Sequence, residues 1–379
     1  MKNFLTSIIF VVMLVTTSIA RAATEPEISA DSAILVEAVT GRIIYEKNAD
    51  ARREPASVTK ILTCLLALEH LKPTDDIKLT RTAIATEYTT LPWAEGDVVS
   101  AWDMLTAVMM VSENGGAVAI AQTVGGDVAH FAEMMNERAR EIGCKNSHFV
   151  NPHGLPDRNH YSTAADMARI AARCMRDPDF RRLVGMQRTS IHWIKPKEKW
   201  AELNNTNHLL GQYRGANGIK TGWTIAAGGC LAASAQRDGV ELIAIVMHSA
   251  DQDTRFDDAA KLLDYGFEHV RMVRAVDKNS TDKIIFVRGG ERATVRVGID
   301  EDFDFPLMAS EDPKLLRVTY DLPKVVEAKV EAGKVLGAVV LRYDGKPVAR
   351  VPIVAKERIA RGFSLGSLFV AIVAPFVTG

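Results

Sequence analysis

Ser57-Val58-Thr59-Lys60 places a hydroxyl and an amine three residues apart at a predicted helix start, so that both side chains project from one face. The chemistry this permits is nucleophilic. A serine hydroxyl attacks well only once its proton is removed, and a lysine accepts that proton only if burial or a nearby cation lowers its pKa toward neutrality. The pair by itself has no specificity, because 16 Ser and 19 Lys in 379 residues give about 0.8 such spacings by chance. Ser280-Thr281-Asp282-Lys283 is a second instance, in a polar stretch that reads as a solvated turn.

Two further groups stand out. Ser112-Glu113-Asn114 follows the apolar segment Met104 to Val111 and precedes Gly115-Gly116, which places it in an exposed connection between helices, where Ser and Asn also serve as helix caps. Lys220-Thr221-Gly222 lies on a predicted strand and offers a cation, a hydroxyl and an edge without a side chain, against which an extended peptide can lie. The alternative is an ordinary strand leading to a turn. The ordered occurrence of all three, the first at a helix start and the last on a strand, is what separates them from chance.

The elements that must position these groups are legible from periodicity. Ser32 to Ala38 and Arg42 to Lys47 read as a hairpin around Thr40-Gly41, and Ser57 to Leu71 repeats apolar residues at three and four. Helical patterns follow at Trp102 to Val111, Ala117 to Val124 and His130 to Ile142, the last ended by Gly143. Thr163 with Asp166 predicts a capped helix ending before Pro178, so the middle of the chain is expected to be mostly helical. Gly218 to Thr224, Cys230 to Gln236 and Val240 to His248 return to strands, and Phe256 to Val270 closes the region as an amphipathic helix. Early and late strands are expected to share one sheet in a single domain of about 250 residues. Beyond the polar link Asp277 to Asp282, short alternating runs such as Thr294 to Gly298, Leu316 to Tyr320 and Gly337 to Tyr343 predict a small all-β domain.

Both ends differ from this body. Lys2, the apolar stretch Leu5 to Ile19 and Ala20-Arg21-Ala22 read as an export signal over residues 1–22, too short for a membrane span. Lys356, Arg358 and Arg361 precede 18 uncharged residues, 362–379, which reads as a membrane anchor, spanning or lying in the interface, rather than a terminal core helix. The expected organisation is therefore a signal peptide (1–22), a catalytic domain (28–275), a small all-β domain (281–355) and an anchoring helix (356–379). With 46 basic against 47 acidic residues, no basic footprint for nucleic acid exists. Nine scattered His and four Cys, Cys64, Cys144, Cys174 and Cys230, show no metal-ligand spacing; Cys64 and Cys174 read as small buried apolar residues, one incidental bridge among the four being the alternative. No metal or cofactor is expected.

Ser57 to Lys60, Asn151-Pro152-His153-Gly154-Leu155-Pro156, Tyr161-Ser162-Thr163-Ala164 and Gly218 to Gly222 resemble the low-molecular-mass penicillin-binding proteins of the D-alanyl-D-alanine carboxypeptidase type, and the order of signal, catalytic domain, β domain and anchor resembles that family along nearly the whole chain. The resemblance implies an α+β fold: a DD-peptidase/β-lactamase-like domain of antiparallel sheet, helices and a helical subdomain, then a small all-β domain and a C-terminal helix. It implies a serine peptidase on the periplasmic face of the bacterial inner membrane, removing the last D-alanine from peptidoglycan stem pentapeptides and inhibited by β-lactams. On that likeness Ser57 is acylated and Lys60 takes its proton, while Ser112, Asn114 and Lys220 complete the proton network. Lys220 and Thr221 engage the terminal carboxylate along the Gly222 edge, the amides of Ser57 and Trp223 form the oxyanion hole, and Arg255 matches an arginine the family places near the Lys-Thr-Gly strand.

Departures from the family pattern are Glu113 between Ser112 and Asn114, Gly115-Gly116 after them, and Trp223 where histidine is common. A buried Glu113 near Lys60 is expected to raise the lysine's pKa and slow acylation; a solvent-facing one is without effect. A β-lactamase needs a deacylating Glu, and Trp200 stands at that position ahead of Ala201-Glu202-Leu203-Asn204. A catalytically silent wall-binding protein is the other alternative.

Overall fold

The segment Ser32–Glu37 is apolar on both faces, as a strand covered from two sides requires, and it forms β1, buried along its whole length. Gly41, at φ +69°, turns the chain into β2 (Ile43–Lys47). The computed structural model describes residues 25–364 and Gly366. The expected signal, 1–22, and nearly all of the apolar tail lie outside the described residues.

A 3-10 turn at Ala56–Thr59 leads into α1 (Lys60–His70), so the helix expected from Ser57 begins three residues later, with the serine held in the tight turn at its foot. Every residue from Lys60 to Ala67 is buried. A helix covered all round must run through the middle of its layer, and α1 does so, touching α3, α4, α5, α6 and α7 as these are delimited below. The order onward is β3 (Asp76–Lys78), α2 (Arg81–Ile84), β4 (Val98–Ser100), α3 (Ala101–Met110), α4 (Asn114–Gly125), α5 (Val128–Ile142), α6 (Ala164–Cys174) and α7 (Pro178–Gly185). Caps set these boundaries: Ser100 and Thr163 each accept the amide three residues on, and Gly143 closes α5 at φ +95°. Asp177 caps α7 with Pro178 at its first position, a start signal that the periodicity left unread.

The middle of the chain is mostly helical, as expected, but a small sheet that the periodicity did not predict lies beside it. β5 (Arg188–Lys195) and β6 (Trp200–Asn204) join the early short strands in a sheet of order β3-β4-β5-β6. Along β5 only Ile191 and Trp193 are buried, so two inward residues carry a strand whose other positions are polar apart from the exposed Ile194. Trp193 packs on Trp93 at 4.5 Å between ring centres and donates its indole N–H to Asp97 at 2.8 Å. Glu202 faces Arg188 across this sheet, on a strand rather than in the cleft.

β7 (Ala216–Thr224), β8 (Gly228–Arg237), β9 (Val240–Ser249) and α8 (Thr254–His269) complete the first half. The main sheet is antiparallel with order β2-β1-β9-β8-β7, so early and late strands share it and β7 is an edge. One face packs on α8 through Leu35, Leu231, Leu242, Leu262 and Leu263. The other lies on α1, α6 and their neighbours through Ile34, Ile61, Leu65, Ile243 and Ile245. At about 1.5–3 kcal/mol for each buried aliphatic side chain, these two layers hold the cleft between β7 and the helical face.

After α8 the helical period ends. β10 (Val270–Val276) continues directly from α8, ahead of the expected link, and pairs with the later strand Phe303–Met308. β11 (Lys283–Arg288), β12 (Thr294–Gly298), β13 (Phe303–Met308), β14 (Leu316–Asp321), β15 (Val325–Glu327), β16 (Val335–Tyr343) and β17 (Lys346–Ala355) make the β unit, whose larger sheet runs β14-β16-β17-β12-β11-β15. Residues 356–361, which the sequence groups with the tail, are extended here: Ile359 bridges Val330, Arg361 bridges Gly290, and the Lys356 amide donates to Arg296. Their basic side chains alternate with the buried Ile359, so they belong to this sheet's rim and not to a helix. Among the described residues no helix is long and apolar enough to cross a membrane. All four cysteines are free.

Candidate active site

The 3-10 turn and α1 set Ser57 and Lys60 on one side, and Lys60 Nζ donates to Ser57 Oγ at 2.8 Å. The same ammonium reaches Asn114 Oδ1 at 2.6 Å and the carbonyl of His153 at 2.8 Å. Asn114 opens α4, and its amide nitrogen donates to the Glu87 carbonyl at 2.7 Å, which turns the oxygen toward Lys60. Lys60 is fully buried. Burial, and then the nearby Lys220 cation, hold its pKa well below the ordinary lysine value against a smaller opposing pull from Glu113.

Lys220, Thr221 and Gly222 lie on β7, facing this cluster. A Cβ built at Gly222 would stand 3.0 Å from the Ser57 amide nitrogen and 3.1 Å from Ala56 Cβ, so the strand crosses directly over the nucleophile's turn. Lys220 is buried and spends one of its three donors on the Thr221 carbonyl at 2.9 Å. Burial, then the Arg255 charge, bring its pKa down to about 7. Arg255, in the first turn of α8, donates to the Gly222 carbonyl at 2.7 Å, while its Nε is buried without a partner. It is buried against the Lys-Thr-Gly strand and is no surface arginine. Trp223 is 42% exposed at the strand's outer end.

The intervening triplet divides. Ser112 is half-buried at φ +65°, beside the cluster, and its hydroxyl has no hydrogen-bond partner among the described residues. Neither it nor Asn114 caps α4, whose N-cap position is Glu113. Glu113 is fully buried but turns away from Lys60, accepting from the Thr90 amide at 3.1 Å, the Thr90 hydroxyl at 2.8 Å and the Leu91 amide at 3.2 Å. Burial raises its own pKa. The expected rise at Lys60 is thus present as a minor pull that desolvation and Lys220 outweigh. Gly115 and Gly116 follow because neighbours leave no room: a Cβ would meet the Ala83 carbonyl at 2.7 Å or Met104 Sδ at 2.7 Å.

Residues 151–163 supply a further wall, a stretch that the sequence marked only as part of the resemblance and with no role for its residues. Gly154, at φ +87°, lies so close to the nucleophile's turn that a Cβ would overlap the Ala56 carbonyl at 1.8 Å. Thr63 donates to the Pro152 carbonyl at 2.6 Å, which seats the His153 carbonyl over Lys60. His160 accepts from the Val150 amide on Nδ1 at 3.2 Å, so its Nε2 carries the proton toward Thr59 Oγ1 at 2.9 Å. Burial lowers its pKa to about 4 and that of His153 to about 3, keeping both neutral beside the lysine. Backbone carbonyls carry no residue signature, so only the Asn-Pro-His-Gly run itself could have marked this wall. The second Ser-x-x-Lys, Ser280 and Lys283, is remote from the cluster and exposed in the β unit.

Residues 19–251 match the family model described as D-alanyl-D-alanine carboxypeptidase, and residues 267–361 match that of the penicillin-binding protein 5 C-terminal domain. The chain is 30% identical over 369 residues to D-alanyl-D-alanine carboxypeptidase DacF of Bacillus subtilis, covering 94% of each. It resembles the crystal structure of penicillin binding protein 5 from Haemophilus influenzae at 28% identity and a TM-score of 0.70, over 89% of this chain and 100% of that one. The Streptomyces K15 DD-transpeptidase is similar over 65% of this chain and 99% of its own, at 30% identity and a TM-score of 0.62. With the Ser57–Lys60–Asn114 cluster, the facing Lys-Thr-Gly strand and a match over most of its length, this chain belongs to the D-alanyl-D-alanine carboxypeptidase family.

Proposed function

We propose that the chain is a serine D-Ala-D-Ala carboxypeptidase in which Ser57 is the nucleophile and Lys60 its base. The observation that carries this is the buried Lys60 amine bonded to Ser57 Oγ and to two acceptors that have no proton to give, Asn114 Oδ1 and the His153 carbonyl. A neutral amine has two protons and one lone pair. The two fixed acceptors take the protons, and the lone pair is left facing the one partner that carries a proton, the serine hydroxyl. Attack on the carbonyl between the last two D-alanines then gives an acyl-enzyme, with the Ser57 and Trp223 amides receiving the oxyanion. Ser112 is a proton relay toward the leaving D-alanine.

The open β7 edge receives the substrate backbone. Lys220, Thr221 and Arg255 gather positive charge and a hydroxyl at the Gly222 end, and we assign the terminal carboxylate to them. Residues 1–22 are assigned to export, 28–275 to the catalytic domain and 281–355 to the β domain. The apolar tail after Ser364 is assigned to a membrane surface, the basic residues ahead of it favouring anionic lipid. A chain ended after Ser364 keeps the β rim intact and is expected to remain in the soluble fraction, whereas the full mature chain sediments with membranes.

The reaction test uses a stem pentapeptide with and without a millimolar amine acceptor. Tetrapeptide and free D-alanine without acceptor are the expected products. The likeness to the Streptomyces transpeptidase gives the second reading: cross-linked product in excess of tetrapeptide would select it.

A further inference from the structure

Between β6 and β7 the chain passes through Asn205-Thr206-Asn207, a segment that no motif points to. Asn205 accepts the Asn207 amide on its side-chain oxygen at 2.9 Å and donates its amide nitrogen to the Met186 carbonyl at 2.9 Å. Asn207 in turn accepts the Leu209 amide at 3.2 Å. Two successive turns of this kind fix the backbone locally. Thr206, held between them, makes two contacts. Its amide donates to the carbonyl of Met110, the last residue of α3 and two positions ahead of Ser112. Its hydroxyl meets the Thr221 hydroxyl at 2.6 Å. One residue therefore touches both walls of the cleft, the connection that carries Ser112 and the strand that carries Lys220 and Thr221.

We infer that Thr206 is a positioning residue for the substrate's terminal carboxylate, acting through the Thr221 hydroxyl; this rests on the assignment of that carboxylate to Thr221. A threonine hydroxyl has one proton and two acceptor sites. If Thr221 gives its proton to the carboxylate, the short contact with Thr206 survives only with Thr206 as the donor. Thr206 then has a single proton and a single target for it, so the direction of the chain is set: Thr206 to Thr221 to carboxylate. Accepting a hydrogen bond polarises the Thr221 O–H and stops its rotation, which favours the charged acceptor. Without Thr206 the Thr221 hydroxyl keeps its proton but loses its aim.

The test compares two probes on the full mature chain, a peptide ending in D-Ala-D-Ala with a free carboxylate and the same peptide as its C-terminal amide. Thr206→Val keeps the shape and removes the hydroxyl; Thr206→Ser restores it. For Thr206→Val, kcat/KM on the carboxylate peptide should fall about tenfold, mostly through KM, with the amide peptide changed less than about twofold. Thr206→Ser should recover most of the loss. In a Thr221→Val background, adding Thr206→Val should change nothing further, since the chain is already broken. An equal loss on both peptides would make Thr206 a structural residue and overturn the inference. If Thr221→Val itself fails to separate the two peptides, the carboxylate assignment falls instead, independently of what Thr206→Val does.

Discussion

Ser57 to Lys60 and Ser280 to Lys283 have the same spacing, and the fold treats them oppositely. The first pair straddles a 3-10 turn and a helix, so residues three apart face one another at 2.8 Å. The second straddles a 3-10 turn and the start of β11, and the pair separates: Ser280 Oγ donates to the Asp277 carbonyl, while Lys283 lies over the Tyr320 ring at 4.8 Å. In the second segment the residue that matters is the buried Thr281, which donates to the Lys278 carbonyl and accepts the Ile299 amide, pinning a turn. Chemistry thus comes from what the surroundings do to the amine. Lys60 is stripped of water and placed near a second cation; Lys283 is left in solvent on an aromatic ring.

The sharpest way to break this comparison is to remove each hydroxyl. Ser57→Ala should end covalent penicillin labelling and lower D-alanine release by more than about 10⁴-fold, as loss of a nucleophile does. Ser280→Ala should leave both within twofold. Mass spectrometry of penicillin-treated protein reads the outcome, and an adduct retained in Ser57→Ala would move the nucleophile elsewhere.

Removing the base comes next. Lys60→Arg keeps the charge but cannot become neutral, and acylation should fall by about 10²–10⁴-fold, whereas Lys283→Arg should be silent. In the wild type the sign is set by the lowered pKa: the active form is the unprotonated one, so acylation rises with pH through a midpoint well below the free-lysine value of about 10.4 and levels off above it. Stopped-flow acylation across pH gives this limb, and a midpoint near 10 would contradict the buried, cation-flanked amine.

How much of this was legible in the sequence follows from the same contrast. The β1–β2 hairpin, the six longest helices (α1, α3, α4, α5, α6 and α8) and β7 to β9 were readable because their apolar periods are long and their caps, Thr163 and Gly143 among them, are standard. β5 and β6 were not, since a strand needing only Ile191 and Trp193 inward leaves too few apolar positions to show a period. Ser57 and Lys60 stood out by type and spacing, Asn114 by its place in a polar triplet that also read as a helix cap, and Arg255 only through the family resemblance. The His153 carbonyl, Gly154 and Thr206 did not, because a backbone acceptor, a close approach and a hydroxyl pair depend on which loops meet. Residues 356–361 were misplaced for a related reason: charge followed by an apolar run looks the same whether its first residues form a sheet rim or a helix.

The second lysine sharpens the comparison further, because it titrates in the opposite sense from the first. Lys220 binds an anion only while protonated, and with a pKa of about 7 its charge is lost as pH rises through that value. In the free enzyme kcat/KM for a carboxylate-bearing peptide should therefore decline above about pH 7, by up to tenfold per unit. Lys220→Arg keeps the cation at all working pH values and should flatten the alkaline decline even if its maximum activity is lower. A decline that persists unchanged in this variant would assign the limb to another group.

The smallest effect concerns Glu113, the residue that interrupts the Ser-Asn pair. Its carboxylate lies within electrostatic range of Lys60, yet its hydrogen bonds go to Thr90 and Leu91, so it influences the amine only through charge. An ionised Glu113 favours the protonated lysine. Glu113→Gln removes the charge and retains an acceptor for the Thr90–Leu91 amides, so the Lys60 midpoint should move down, carrying the acid limb of acylation to lower pH by less than about one unit. Because burial raises the pKa of Glu113 itself, part of its charge is already absent at acid pH, and the shift should shrink as the profile is followed downward. The lost charge-assisted bonds should lower stability by about 1–2 kcal/mol, read as a fall in Tm. Glu113→Ala, which loses the acceptor too, should cost more stability for the same pH shift. If the two variants instead shift the acid limb by clearly different amounts, Glu113 acts on Lys60 through the loop it holds and not through its charge.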